Sequence, residues 1–194
     1  SPSHILSSSW LRGVVAQLKM SEQKFIMTAF GKDLPGVVAD VTEMIYEHGC
    51  NLEDSTMTRL EDEFTMIFLC AGQGDDLESQ LTRACRRLER EKGISVFLRP
   101  VEGPTSQYKR GLSMHKIHVE GIDHAGIVYR ISQYLAQHQV NIADLQSKLQ
   151  HSPDTGTAMY LIEMHVEVPN NVSLEEIRTG LARIGDELHV DITI

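Results

Sequence analysis

The residues best suited to hold a small molecule form one short run: Gly31, Lys32, Asp33, Leu34, Pro35 and Gly36, just ahead of a predicted helix. Asp33 is placed to cap that helix by accepting from a backbone N–H. Pro35 suits a first helical turn, where its missing N–H costs nothing. Gly36 lets the backbone approach another group closely. Free N–H groups and the helix dipole at such a start suit a carboxylate. A second candidate is Asn51, expected where a helix-ending turn leads into a strand. Its amide has both donors and acceptors, which fits an amino acid's ammonium or carboxylate group. Each feature also has a plain structural reading. Asp-x-x-Gly is a cap and a turn, and Asn after a helix is a common turn residue. Both readings stay open on the residues alone.

These residues recur. The run from Gly31 to Asp54 matches the run from Gly121 to Asp144 at an offset of 90. Seven of 24 positions are identical: Gly31/Gly121, Asp33/Asp123, Gly36/Gly126, Val38/Val128, His48/His138, Asn51/Asn141 and Asp54/Asp144. Composition alone gives about one or two matches. The second loop keeps the frame as Gly121, Ile122, Asp123, His124, Ala125 and Gly126, with no proline. Beyond the repeat, about three inserted residues align Thr65 and Met66 with Ala158 and Met159. A duplication copies structural and functional residues alike, so recurrence does not choose between the readings. His48 and His138 read as helix-end residues favoured by the dipole.

The elements that must position these groups follow from periodicity. Strands are predicted at 25–30, 51–58, 64–71 and 94–98, and again at 116–120, 141–149, 158–168 and 190–194. Val37, Val38, Val41 and Ile45 form a helical stripe, as do Ile127, Val128, Ile131 and Leu135. A second helix in each copy carries Leu77, Leu81, Ala84 and Leu88, or Leu174, Ile177, Leu181, Ile184 and Leu188. Asp75 or Asp76 is placed to cap the former, Ser173 with Glu176 the latter, and Gly93 to stop a helix. The order is βαββαβ, twice. It predicts an α+β protein of two ferredoxin-like units, each an antiparallel sheet with helices on one face. The expected division is an N-terminal extension (1–23), unit one (24–99), a linker (100–113) and unit two (114–194). Glu163, His165 and Glu167, like Lys116, His118 and Glu120, should point away from the helices. Polar open faces favour pairing of units through sheet edges.

Composition narrows the function. The net charge of −9 disfavours direct nucleic-acid binding. No apolar run nears the ~20 residues of a membrane span. Three cysteines, Cys50, Cys70 and Cys85, argue for a reducing compartment. Cys70 and Cys85 read as small core hydrophobes. A cytoplasmic location is expected. Residues 1–19 lack Asp and Glu and are Ser-rich. They fit a transit-like segment, which would imply an organelle, or a tag remnant or upstream read-through before Met20, or a short docking helix. Common catalytic motifs are missing, and Gly72-Gln-Gly74 lacks the third glycine of a dinucleotide loop. His115 and His118, three apart on a strand, point to opposite faces and make a poor metal pair. No enzyme activity, cofactor or metal is expected.

The paired units, each with G-x-D-x-x-G before its first helix and Asn opening strand two, resemble tandem ACT domains over residues 24–194. In length and layout the chain is similar to the glycine cleavage system transcriptional repressor group. The resemblance implies an amino-acid-binding regulatory module with a site where units meet. Carried onto this sequence, the site is Asp33, Leu34, Pro35, Gly36, Asn51 and Leu52 in copy one. In copy two it is Asp123, His124, Ala125, Gly126, Asn141 and Ile142. It further implies glycine or a similar amino acid as signal, and a protein partner such as a transcriptional activator or a metabolic enzyme. A homodimer is another way to pair units. A regulatory subunit of an amino-acid metabolic enzyme and a ligand-free interaction module are the alternatives. His124-Ala125 departs from Leu34-Pro35, so the two sites are not expected to be equivalent.

Overall fold

The computed structural model describes residues 22–102 and 111–194. The readings of residues 1–19 and most of the expected linker lie outside the described residues. The described residues form two compact units, 22–102 and 111–194. Unit one runs β1 (Glu22–Lys32), α1 (Val37–Glu47), β2 (Asn51–Leu60), β3 (Glu63–Gln73), α2 (Leu77–Lys92) and β4 (Ser95–Pro100). Unit two runs β5 (Leu112–Gly121), α3 (His124–Gln137), β6 (Asn141–His151), β7 (Ala158–Pro169), α4 (Leu174–Leu188) and β8 (Ile192–Thr193). The sheets are β2-β3-β1-β4 and β6-β7-β5-β8, antiparallel at every pairing. This is the βαββαβ order that the periodicity predicts, twice.

Alternation in the central strands builds each core. In unit one Phe25, Met27 and Ala29 of β1 and Phe64, Met66, Phe68 and Cys70 of β3 are buried. They meet Val37, Val41, Met44 and Ile45 of α1 and Leu77, Leu81 and Ala84 of α2. In unit two Ile117, Val119, Ile162, Met164 and Val166 meet Ile131, Leu135, Ile177 and Leu181. Full burial of each large side chain contributes roughly 1.5–3 kcal/mol. All three cysteines are buried and unbridged. Burial, helped by nearby Cys50 and Cys85, pushes the Cys70 thiol up to about 12. Burial likewise raises Cys85 to about 11. These thiols stay protonated near neutrality and pack as small hydrophobes, as their apolar contexts suggest.

Most strands run past their predicted ends, because ladder pairing continues through polar residues such as Glu22 and Lys24. Strand β8 is shorter than predicted. His189 ends α4 in the left-handed region (φ 56°), and Val190 N–H donates back to Gly185 O at 2.9 Å, so Val190 closes the helix. Gly93 (φ 69°) stops α2, and Ser173 accepts from Glu176 N–H, as expected. Asp76 stands at the N-cap of α2 without a side-chain cap bond. Its carboxylate lies 3.8 Å from Arg83 instead.

The register corrects the expected insertion. Gly31 pairs with Phe64 and Gly121 with Tyr160. Phe64 therefore matches Tyr160, an offset of 160 − 64 = 96. The second hairpin holds 96 − 90 = 6 extra residues, not about three, and Met66 matches Ile162 rather than Met159. An odd slip would have turned the inward face of β7 outward.

The faces away from the helices differ. In unit one this face carries Ile26, Thr28, Phe30, Ile67 and Phe97. Phe97 is 65% exposed, and its ring stacks on Phe30 with centroids 5.9 Å apart. In unit two Lys116, His118, Glu120, Glu163 and His165 occupy this face, as their alternation predicts. Lys116 pairs with Glu163 at 3.2 Å and His165 with Asp144 at 3.3 Å.

Buried Gly185 of α4 gives a test of the packing. A Cβ there would stand 2.6 Å from the backbone oxygen of Val190. Gly185→Ala is expected to destabilise unit two by about 1–3 kcal/mol through overpacking. Helix propensity alone would make it stabilising by roughly 0.8–1 kcal/mol. Urea unfolding reads the sign, and a stabilised variant contradicts this packing.

Candidate ligand-binding site

The two G-x-D-x-x-G loops start their helices differently. In unit one, α1 begins at Val37 after Gly36, which is left-handed (φ 96°), and no side chain caps it. Asp33 is therefore not the cap that its position suggests. Its N–H donates to Asp62 O at 2.8 Å, and its carboxylate accepts from Arg59 of β2 at 3.3 Å. Pro35 lies in the turn before the helix rather than in its first turn. The proline supplies the reason. It biases Leu34 away from helical backbone, so the helix does not reach back to Asp33. Unit two has Ala125, and α3 begins at His124. There Asp123 is the cap, accepting from Gly126 N–H at 3.1 Å. Gly126 makes this possible, since a Cβ would stand 2.4 Å from Asp123 Oδ2.

Asn51 and Asn141 open β2 and β6, as expected. Each precedes a register shift in the ladder, between Leu52 and Asp54 and between Ile142 and Asp144. The sequence gives no signal for this bulge beyond the recurrence of Asp54 and Asp144. The Asn141 amide donates to Glu167 at 2.7 Å across the ladder. Asn51 pairs instead with Ala71, which offers no side-chain acceptor. Asn51 lines an open depression of about 280 Å³ with Glu22, His48, Gly49, Glu53 and Gln73. Leu52 is exposed beside it, whereas Ile142 packs against the second core.

Loop and asparagine of one unit lie far apart. Asn51 pairs with Ala71, and Ala71 with Lys24. From Lys24 along β1 to Lys32, beside the loop, is about 26 Å at 3.3 Å per residue. The same registers hold for Asn141, Glu167 and Met114. The residues predicted to form one site thus sit at opposite ends of each sheet.

Models of the ACT domain match residues 23–99 and 114–190. This chain belongs to the ACT-domain family. The glycine cleavage system transcriptional repressor of Escherichia coli is 26% identical over 177 residues, spanning 90% of both chains. A UPF0237 protein of Methanococcus maripaludis is 34% identical over 76 residues, covering 38% of this chain and 83% of that one. The crystal structure of an unknown protein from Galdieria sulphuraria superposes with a TM-score of 0.69 at 27% identity. That match covers 89% of this chain and 96% of the other.

Two histidines of the ACT units bond to the ends of their own helices. His48 and His138 end α1 and α3. Their Nδ1 atoms lie 2.7 and 2.9 Å from the carbonyl oxygens of Met44 and Tyr134. A carbonyl only accepts, so each Nδ1 carries the proton and donates. Among the described residues, no group of three or more His, Cys, Asp or Glu is placed to hold a metal.

The unequal caps predict unequal costs. Asp123→Ala is expected to cost about 1 kcal/mol through loss of a cap. Asp33→Ala removes a solvent-screened pair and should cost at most about 0.5 kcal/mol. Chemical denaturation of both variants checks this, and equal losses contradict the assigned caps.

Proposed function

We propose that this chain is a non-catalytic regulator whose ACT units sense a small amino acid, glycine or a close analogue, and act through contact with another protein. The observation that carries the reading is the relationship to the Escherichia coli repressor, which runs across 90% of both chains and both ACT units. The net charge of −9 supports a protein partner rather than direct contact with a phosphate backbone. The proposed contacts are Asp33, Leu34, Pro35, Gly36, Asn51 and Leu52, with Asp123, His124, Ala125, Gly126, Asn141 and Ile142. Loop and asparagine lie at opposite ends of one sheet, so a single small amino acid does not touch both within one unit. Asn51 is the readier of the two asparagines, since Glu167 already holds the Asn141 amide.

A ligand that binds the folded state stabilises it by RT ln(1 + [L]/Kd), about 2.7 kcal/mol at 100 times Kd. A thermal-shift screen of free amino acids at millimolar concentration should raise the melting temperature with glycine or a near relative. The double variant Asn51→Ala, Asn141→Ala should lose that shift. If no amino acid gives a shift, the sensing role is wrong. If the shift survives the double substitution, the asparagines are not the contacts.

A further inference from the structure

The two helix-start loops share a frame but not a chemistry. In unit two an open depression of about 450 Å³ is lined by Ile122, Asp123, His124, Ala125, Ser147 and Tyr160. Strand register identifies the equivalent residues of unit one. Gly31 pairs with Phe64 as Gly121 pairs with Tyr160. Met57 pairs with Met66 as Ser147 pairs with Ile162. His124 stands where the first copy has Leu34. At three positions around one depression, an apolar residue in unit one is replaced by a hydrogen-bonding residue in unit two.

His124 bears the cost of this change. Its ring packs on Tyr160 with centroids 5.0 Å apart. Its Nε2 is shielded from solvent and has no hydrogen-bond partner among the described residues. A buried polar atom left unsatisfied destabilises the fold, and the Leu34 arrangement avoids that cost. An orphaned atom in a native fold calls for an explanation, and a binding role is one.

We propose that this depression is a selectivity pocket of unit two, where His124, Ser147 and Tyr160 recognise the hydroxyl of a small neutral amino-acid side chain. The proposal rests on the amino-acid-sensing role and adds which side chain unit two reads. A hydroxyl both donates and accepts, so it satisfies Nε2 in either tautomer once the His124 ring turns that atom toward the depression. An anionic side chain would meet the Asp123 carboxylate at the same rim, and no Lys or Arg lines the depression to offset it. Leu34, Met57 and Phe64 give a hydroxyl no partner, so the corresponding place in unit one does not discriminate.

Serine and alanine differ by that one hydroxyl and keep every backbone group constant. Calorimetric titration of the full chain should show serine binding about tenfold more tightly than alanine, the effect of roughly one good hydrogen bond. His124→Leu, and the triple variant His124→Leu, Ser147→Met, Tyr160→Phe, install the residues of unit one. Both should lose the preference. His124→Leu should leave the unliganded melting temperature unchanged or higher, because it removes the orphaned nitrogen. A lower melting temperature would mark His124 as structural and overturn the proposal. So would equal binding of serine and alanine by the unaltered chain, or a preference that persists in the triple variant. If glycine, serine and alanine all fail to bind, the sensing role itself falls and this pocket with it. Binding without discrimination removes only the pocket.

Discussion

In each unit the two central strands send alternate side chains into the helices and hold the rest on an open face. The rest of the unit depends on this one-sided burial. Phe25, Met27, Phe64, Met66 and Phe68 do this in unit one, and Ile117, Val119, Ile162, Met164 and Val166 in unit two. Because β1 and β2 both run antiparallel to β3, they are parallel to each other, and the βα crossover between them leaves the sheet at one end and returns at the other. The loop after β1 and the start of β2 are therefore separated by the length of the sheet.

The duplicated scaffold carries different surfaces in its two copies. Although buried Phe25 answers to half-buried His115, the cores match at most positions once the register is known. The open faces do not: unit one presents Ile26, Phe30, Ile67 and Phe97, and unit two presents Lys116, His118, Glu163 and His165. The loops diverge in the same way. Pro35 biases Leu34 away from helical backbone and a left-handed Gly36 precedes α1, whereas α3 begins directly after a capping aspartate where unit two has Ala125. A single proline changes which groups at the helix start are free.

Periodicity carries the fold in the sequence, because each strand and helix buries one face and shows it in its apolar spacing. The element order, the helix stops at Gly93 and His48, and the inert cysteines follow from local pattern alone. The caps at Asp33 and Asp76 do not: α1 does not reach back past Pro35 to Asp33, and the Asp76 carboxylate turns to Arg83 along the helix. The short Thr-Met and Ala-Met likeness points to a smaller hairpin insertion than the strand register shows. The face test argues against that alignment, since Met66 points inward while Met159 is out of phase with inward Ile162 and Met164. Ser147 and Tyr160 are brought to the second loop by strand register alone, and nothing near them in sequence marks them. The separation of loop and asparagine depends on strand order, which local spacing does not encode.

The central claim is that an amino acid engages both the helix-start loops and the openings of the second strands. Hydrogen exchange of the full chain, with and without saturating glycine or serine, tests this most directly. The account predicts slowed exchange at 33–36 or 122–126 together with 51–54 or 141–144, and little change along the cores. No ligand-dependent protection, or protection confined to segments outside these loops and strand openings, would contradict it.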